Sequence, residues 1–205
     1  MGMIYVIGIG PGDVKYGLRG NDDVMEKACA IIGAQRQIES VPEKFHHKGV
    51  IAPKKLGDLE TLIRSYDVNQ DELVLLASGD PFIYGLGKWL SQKFAGCVQV
   101  MPGISSMQYM ASKIALPMND AFLTSSHAKT PNFDLIMSLD KVFMVTDEQI
   151  GPYQIAQEII RRGLKRTVYI GENLSYPDER ISQLEASEVE NRQYEMNVVV
   201  IVNEG

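Results

Sequence analysis

The sequence lacks long apolar runs: no stretch approaches the roughly 18 apolar residues that a membrane-spanning helix needs. The opening segment, MGMIYVIGIGPGD, has no basic region ahead of its apolar run, which argues against a secretory signal peptide. It also has Val6 where a myristoylation signal needs Ser or Thr. We therefore expect a cytoplasmic protein that has no membrane partner.

Cysteine is scarce, with only Cys29 and Cys97 in 205 residues. Two thiols so far apart do not form a disulfide framework, and neither has the nearby partners of a zinc site. Both lie in apolar stretches, so we expect two buried free thiols. His46 and His47 are adjacent but have no further ligand candidates near them in sequence, and we expect no metal site.

Basic residues are fewer than acidic ones: the chain has 20 Lys and Arg residues and 26 Asp and Glu residues, for a formal net charge of −6. Proteins that bind nucleic acids are usually basic, so this balance disfavours a nucleic-acid partner. Hydrophobic residues make up 45% of the chain, which is ordinary for a globular protein. The length suits one large domain or two small ones with a real core.

In the first half, apolar runs that end at Gly or Pro alternate with segments of helical periodicity. The predicted elements are strands at 3–9, 29–32, 73–77 and 98–101 and helices at 22–28, 55–66 and 84–95. Because several of these strands are apolar throughout, we predict a parallel sheet that is covered on both faces.

After Pro117 the pattern changes, which places a domain boundary near residue 115. In the second half, the hydrophobic pattern predicts a helix at 152–162 and strands at 121–125, 141–146, 167–170 and 197–202. We therefore predict an α/β protein of two domains, 1–115 and 116–205.

Three loops of the first domain follow predicted strands: Gly8–Asp13 (GIGPGD), Ser78–Pro81 (SGDP) and Pro102–Ser106 (PGISS). In open α/β sheets, ligands bind at the carboxyl ends of the strands, so these loops are three candidate site loops on one edge. The first loop matches neither the dinucleotide fingerprint nor the phosphate-binding P-loop. This mismatch disfavours a non-catalytic nucleotide-binding module, although that class remains an alternative.

Each loop also has a purely structural interpretation, which the sequence leaves open. Asp80 followed by Pro81 suits the start of a helix, with Asp80 as its N-cap. Ser105 and Ser106 suit the same capping role, and the glycines of the first loop suit a tight turn.

Taken together, the three loops resemble the tetrapyrrole methylases, which use S-adenosylmethionine. The motifs G-x-G-P-G-D, S-G-D-P-F-I-Y-G and P-G-I-S-S stand in the order and spacing of that family, and the resemblance runs from Met3 to the final predicted strand. The segment ENLSYPDER, at 172–180, is similar to the branch of the family that methylates carbon 5 of a cobalt-precorrin in anaerobic cobalamin biosynthesis.

The resemblance implies the tetrapyrrole methylase fold, which has two α/β domains with the cofactor cleft between them, and it implies a homodimer. The methyl donor would be S-adenosylmethionine and the substrate a cobalt-precorrin. A separate C15-methylating decarboxylase is the functional partner that it suggests. A methylase of the same family that acts at another precorrin carbon, or on a different substrate such as RNA or a modified histidine, stays an alternative.

The resemblance also implies site residues. It assigns cofactor contacts to Pro11, Ser78, Gly79, Asp80, Ile83, Ser105, Ser106, Val145 with its neighbour Met144, and Leu174. Asp13 and His127 are candidates for accepting the proton that the macrocycle loses. His127-Ala128-Lys129 partly matches the family's His-Gly-Arg, and we expect Lys129 to bind substrate carboxylates. Lys15, Arg19, Lys54 and Lys55 are further candidates for a basic lining, because they follow or flank the loops.

Overall fold

The structure is a computed structural model that describes residues 2–67, 70–127 and 130–203. The chain divides into two compact units, Met1–Ser105 and Ser106–Gly205. The sequence had placed a boundary later, near residue 115. The difference is the helix Ser106–Lys113, which packs on two strands of the second unit and so belongs with it.

The described part of the first unit contains strands and helices in near alternation, with short 3-10 helices at Val14–Tyr16 and Glu43–Lys48. In chain order, the elements are β1 (Met3–Gly8), α1 (Asn21–Lys27), β2 (Ala30–Gly33), α2 (Gln35–Glu39), β3 (Gly49–Ile51), α3 (Leu56–Arg64), β4 (Glu72–Ala77), α4 (Gly87–Lys93) and β5 (Val98–Met101).

The described strands of this unit form one parallel sheet in the order β3-β2-β4-β1-β5. On one face, Ile4 and Val6 pack with Leu59 and Ile63 of α3. On the other, the side chains of the same strands pack with residues of α1 and α2, among them Met25. The prediction of a parallel sheet covered on both faces is thus confirmed. The order places β4, β1 and β5 side by side, so the three glycine-bearing loops leave neighbouring strands.

The described part of the second unit begins with a helix and ends with a strand, and it has a short 3-10 helix at Ala186–Glu188. Its elements are α5 (Ser106–Lys113), β6 (Phe122–Ser125), α6 (Phe133–Met137), β7 (Lys141–Val145), α7 (Pro152–Arg161), β8 (Arg166–Glu172), β9 (Arg180–Glu185) and β10 (Asn197–Asn203).

The described strands of the second unit form a mixed sheet in the order β6-β7-β10-β8-β9. Only β6 and β7 pair in parallel there, and the other described pairs are antiparallel. Pro152 occupies the first turn of α7, where its missing N–H costs no hydrogen bond. The apolar face of α7, with Ile155 and Ile159, packs on the buried side chains of this sheet.

The expectation of two buried thiols is wrong: Cys29 is exposed and Cys97 is half-buried. Each comes just before its strand, Cys29 before β2 and Cys97 before β5, so it lies outside the apolar core. Among the described residues, no helix is both long and apolar enough to span a bilayer.

Candidate functional site

The three glycine-bearing loops of the first unit touch through their main chains. A Cβ atom on Gly8 would lie 2.6 Å from the nitrogen of Gly103 and 2.7 Å from the carbonyl oxygen of Gly79. A Cβ atom on Gly103 would collide with the same Gly79 oxygen. No side chain fits at either position without moving backbone. We call Gly8, Gly79 and Gly103 the glycine cluster.

A pair of hydrogen bonds joins the first two loops. The Gly79 N–H donates to the Gly10 oxygen at 2.7 Å, and the Gly10 N–H donates to the Gly79 oxygen at 3.3 Å. Gly10 has φ +81° and Gly79 has φ +67°, in the left-handed region where glycine is not strained. The glycines of both motifs are therefore required by the way these loops meet.

The carboxylate of Asp80 joins the second and third loops. One oxygen accepts the N–H of Phe82 at 2.8 Å, and the other accepts the N–H of Gly103 at 3.1 Å. The helix-capping interpretation of Asp80 is wrong, because α4 begins only at Gly87. The residues between them begin with a tight turn, in which the Ile83 N–H donates to the Asp80 oxygen at 3.2 Å, and the Gly87 N–H then donates to the Pro81 oxygen at 2.9 Å.

The other residues that the resemblance assigns to the cofactor in the first unit lie in these same loops. Pro11 and Ser105 are buried, and Ile83 is half-buried in the turn after Asp80. Ser78 is exposed, and its hydroxyl accepts hydrogen bonds from Gln37 at 3.0 Å and Arg36 at 3.3 Å. Both partners lie on α2. No signal in the sequence connects them to Ser78.

Asp13 caps the 3-10 helix that follows the first loop. Its carboxylate accepts the Lys15 N–H at 2.9 Å and pairs with the Lys15 ammonium at 2.7 Å. The hydrogen bond from the Lys15 side chain is the largest cause that lowers the pKa of Asp13. A carboxylate with a lowered pKa is a weaker base, so this geometry suits a fixed negative charge better than a proton acceptor.

A cavity of about 350 Å³ lies beside the first loop, between the 3-10 helix and α1. Arg19 and Asp22 line it together with apolar side chains, of which Val14 and Leu18 are exposed. Lys54 and Lys55, two other candidates for a basic lining, are exposed on the segment before α3. Of these three cations, the structure places only Arg19 at that cavity.

In the second unit, His127 is exposed just beyond the end of β6. Its ring Nδ1 lies 3.1 Å from the hydroxyl of Ser125, and the same hydroxyl accepts the His127 main-chain N–H at 3.1 Å. Ser125 therefore fixes the imidazole close to the strand end. Lys129, the residue expected to bind substrate carboxylates, lies outside the described residues.

Ser106 begins α5, and the remaining residues assigned to the cofactor come from two other places in the second unit. Val145 ends β7, and its carbonyl oxygen accepts the Ser126 N–H at 3.0 Å, while Met144 is buried within the sheet. Leu174 is buried in the loop between β8 and β9. A Cβ atom on Gly171 would lie 2.7 Å from the Leu174 side chain, so the two residues pack closely.

Residues 172–180, which we call the ENLSYPDER loop, are held by their own polar side chains. The Asn173 amide donates to the Asp178 carboxylate at 2.7 Å, and the Ser175 N–H donates to the Glu179 carboxylate at 2.6 Å. In the sequence, only the family resemblance indicated that this segment is functional. Asp178 and Glu179 therefore have a structural role, because their carboxylates accept hydrogen bonds that hold the loop in shape.

An ion pair between the buried Glu172 and the exposed Arg192, at the start of this loop, was missed in the sequence. Glu172 is 3% exposed and accepts two hydrogen bonds from Arg192, at 2.9 and 2.5 Å, with a third from the Glu195 N–H at 3.1 Å. The Arg192 hydrogen bonds are the largest cause that lowers the pKa of Glu172. Arg192 also lines a cavity of about 630 Å³ with Thr146 and Asp147.

Within residues 2–67, 70–127 and 130–203, no three His, Cys, Asp or Glu side chains gather where they could hold a metal ion. His46 has a structural contact instead, since its Nε2 lies 2.8 Å from the carbonyl oxygen of Val41.

Residues 3–190 match the family model of the Tetrapyrrole (Corrin/Porphyrin) Methylases. The chain is 37% identical to a cobalt-precorrin-7 C(5)-methyltransferase of Salmonella typhimurium strain LT2, over 98% of this chain and 100% of that protein. A solved precorrin-6Y methylase from Archaeoglobus fulgidus has TM-score 0.78 and 21% identity, with 99% of each chain covered. A uroporphyrin-III C-methyltransferase from Thermus thermophilus, complexed with S-adenosyl homocysteine, has TM-score 0.76 and 20% identity, with 98% of this chain and 97% of that chain covered.

The chain belongs to the tetrapyrrole methylase family. Its match spans both units, and the glycine cluster, the Asp80 turn and the ENLSYPDER loop are the described features that carry the family's motifs. The predicted family, its α/β fold and the methyltransferase activity are confirmed. The role of each site residue stays a prediction.

Proposed function

We propose that the chain transfers a methyl group from S-adenosylmethionine to carbon 5 of a cobalt-precorrin in anaerobic cobalamin biosynthesis. The observation that carries the proposal is the 37% identity to a cobalt-precorrin-7 C(5)-methyltransferase over the full length of that protein. The ENLSYPDER loop supports the same position on the macrocycle, since its sequence is similar to the branch of the family that methylates carbon 5.

The three loops of the first unit fit the methyl donor. S-adenosylmethionine supplies a methyl group on a sulfonium, and it also presents an ammonium, a carboxylate and an adenine. The glycine cluster lets the three loops pack main chain against main chain, and this close packing fixes the shape of the edge at which the donor would bind. Asp80 adds a negative charge, and the half-buried Ile83 offers an apolar surface for the adenine.

The chain contributes chiefly by positioning the reactants, because methyl transfer is an in-line displacement that needs the acceptor carbon close to the methyl group. The main-chain contacts of the glycine cluster and the two hydrogen bonds of Asp80 hold the loops in one arrangement. These contacts fix the donor site before the substrate binds, which lowers the entropic cost of reaching the transition state.

His127 is the better of the two candidates for accepting the proton that the macrocycle loses. Lys15 lowers the pKa of Asp13 and so weakens Asp13 as a base. In the tautomer in which Nδ1–H donates to the Ser125 hydroxyl, Nε2 of His127 is the accepting atom. Asp13 then acts as a fixed charge that holds Lys15.

A cobalt-precorrin carries several carboxylates, so its site needs local positive charge although the chain is acidic overall. Arg19, at the cavity of about 350 Å³, is the first candidate for this task, because the carboxylate of Asp22 in the same lining is already paired with Lys44 at 3.2 Å. The apolar side chains around it would pack against the edge of the macrocycle. Lys129 remains the second candidate.

We also propose, from the family resemblance, that the protein is a cytoplasmic homodimer and works with a separate C15-methylating decarboxylase. Light scattering at micromolar concentrations checks the first part, since a dimer has twice the mass of the 22.8 kDa chain. A monomer mass across that range would contradict it. Co-purification of the two enzymes checks the second.

The activity is tested with purified protein, S-adenosylmethionine labelled with ¹³C at its methyl group, and a panel of cobalt-precorrins. We expect one labelled methyl group, at carbon 5, in the NMR spectrum of the product. A label at another carbon would assign the chain to a different methylase of the family. Binding of S-adenosylhomocysteine without turnover of any precorrin would contradict the proposed substrate.

A further inference from the structure

We propose that Glu179 is a positioning residue for the methyl-donor site, because its carboxylate ties the ENLSYPDER loop to α5. This inference rests on the proposed function. One carboxylate oxygen accepts the main-chain N–H of Ser175 at 2.6 Å. The other pairs with the ammonium of Lys113, in the last turn of α5, at 2.8 Å. A single side chain thus holds two segments of the second unit together.

Glu179 has more than one contact with α5. Besides Lys113, Tyr109 of α5 donates its hydroxyl to the Glu179 carboxylate, and its ring is buried. The Lys113 ammonium lies 5.7 Å from the centre of that ring, within the range of a cation–π contact. Burial opposes the charge of Glu179, but the donors from Lys113, Ser175 and Tyr109 outweigh it and lower its pKa. Glu179 is therefore ionised at neutral pH.

The loop side is strained and needs this support. Asn173 has φ +47° and Ser175 has φ +70°, in the left-handed region that costs energy for residues other than glycine. Such backbone persists where the surroundings fix it, and the hydrogen bond from Ser175 to Glu179 is one of the contacts that do so. Leu174 lies between the two strained residues, so its placement depends on their conformation.

The two segments that Glu179 joins both carry residues assigned to the cofactor. Leu174 lies on the loop, and Ser106, directly after Ser105, begins α5. The packing of both against Gly171 supports the same link, because a Cβ atom there would lie 2.6 Å from Met110 of α5 and 2.7 Å from Leu174. Loss of the Glu179 carboxylate would remove the polar half of this link and leave only the packing of Leu174 and Met110 against Gly171. The donor site would then lose its fixed shape without losing any residue that contacts the donor.

Two substitutions of Glu179 separate its role as a hydrogen-bond acceptor from its role as a negative charge. Glu179→Ala removes both the acceptor for Ser175 and the charge that pairs with Lys113. Glu179→Gln keeps an oxygen that can accept the Ser175 N–H but removes the charge. The matched control is Glu158→Gln on α7, which breaks an ion pair with Arg161 and Arg162 in the same unit, on a helix that carries no residue assigned to the cofactor.

The measurements are the Kd of S-adenosylhomocysteine by calorimetry and the midpoint of thermal unfolding. We expect Glu179→Ala to weaken binding by about tenfold, which requires that much of the free energy of the lost charge-assisted hydrogen bonds is passed on to the donor site, and Glu179→Gln to weaken it by about threefold. Glu158→Gln should lower the midpoint by a similar amount and leave the Kd unchanged. With turnover measured, the KM for S-adenosylmethionine should rise in Glu179→Ala while kcat changes less.

Unchanged binding in a folded Glu179→Ala variant would overturn the proposal and leave Glu179 a structural residue only. If that variant does not fold, Lys113→Gln tests the same contact from its exposed end, with an expected loss of about threefold. Unchanged binding in Lys113→Gln would then overturn the proposal. Wild-type protein that binds S-adenosylhomocysteine but methylates no precorrin contradicts the proposed function and not this inference; wild-type protein that does not bind it contradicts both.

Discussion

The carboxylate of Asp80 accepts the main-chain N–H of Gly103 at 3.1 Å, although their strands are not neighbours in the sheet. Asp80 follows β4 and Gly103 follows β5, and β1 lies between these two strands. The contact therefore passes over the end of β1, where Gly8 lies. A side chain on Gly8 would collide with both Gly79 and Gly103, so the bridge requires a glycine beneath it.

This bridge predicts the effect of Asp80→Ala. Two main-chain N–H groups lose a charged acceptor, so the free energy of unfolding should fall by about 1–3 kcal/mol. The affinity for S-adenosylhomocysteine should fall by about tenfold or more, because the loops lose both their link and a charge. Calorimetry and urea unfolding measure the two effects. Asp80→Asn, which keeps one acceptor oxygen, is the control. Reduced stability with unchanged affinity would show that Asp80 is only structural.

Gly103→Ala should disrupt the glycine cluster. The new methyl group would meet the carbonyl oxygen of Gly79, which is backbone and cannot rotate away. We expect a loss on the order of 3 kcal/mol in the free energy of unfolding, together with a loss of S-adenosylhomocysteine binding.

The control for Gly103→Ala is Gly57→Ala in α3, where a Cβ atom would meet no other atom within 4 Å. A helical glycine costs stability relative to alanine, so this change should stabilise the protein by about 0.5–1 kcal/mol. If both variants behave alike, the close approach at Gly103 is not what the loops require.

Arg19→Gln tests the proposed contact between Arg19 and the carboxylates of the substrate. We expect a higher KM for the cobalt-precorrin and a weaker dependence of KM on salt, because one attractive charge is lost. The affinity for S-adenosylhomocysteine should not change. Lys27→Gln, an exposed cation at the end of α1, is the matched control and should leave KM as it is. A change in cofactor affinity with an unchanged KM would place Arg19 at the donor site.

The ion pair of Glu172 and Arg192 predicts a pH dependence of stability. Arg192 lowers the pKa of Glu172 in the folded protein, so the pair stabilises the fold above the usual glutamate pKa. That contribution is lost as the pH falls through the lowered value. Since Arg192 is partly exposed, we expect Glu172→Gln to cost about 1–2 kcal/mol at neutral pH.

Urea unfolding at a series of pH values checks this dependence. The stability difference between wild type and Glu172→Gln should be constant near neutral pH and should shrink in acid. A difference that does not change with pH would show that the charge of Glu172 contributes nothing. Glu185, at the exposed end of β9, provides a control position for the same substitution.

Much of the first unit could be predicted from local pattern. Runs such as Leu73–Ala77 are apolar at every position, and β4 is buried on both faces for that reason. In contrast, β9 (Arg180–Glu185) was missed, because its side chains are half-buried or exposed and give little apolar signal. The helix predicted at 84–95 begins later than expected, at Gly87, because a turn closed by the Asp80 oxygen and the Ile83 N–H comes before it.

The candidate site, like the fold, could be predicted from the sequence only in part. The sequence by itself determined the family, the glycine loops and the ENLSYPDER segment, because these depend on residue types at fixed spacing along the chain. Only the tertiary structure decided which residues meet: Asp80 with Gly103, Ser78 with α2, Glu172 with Arg192 and Glu179 with Lys113. Those partners are far apart in sequence. Strand order and chain packing bring them together, and neither periodicity nor local propensity encodes that order.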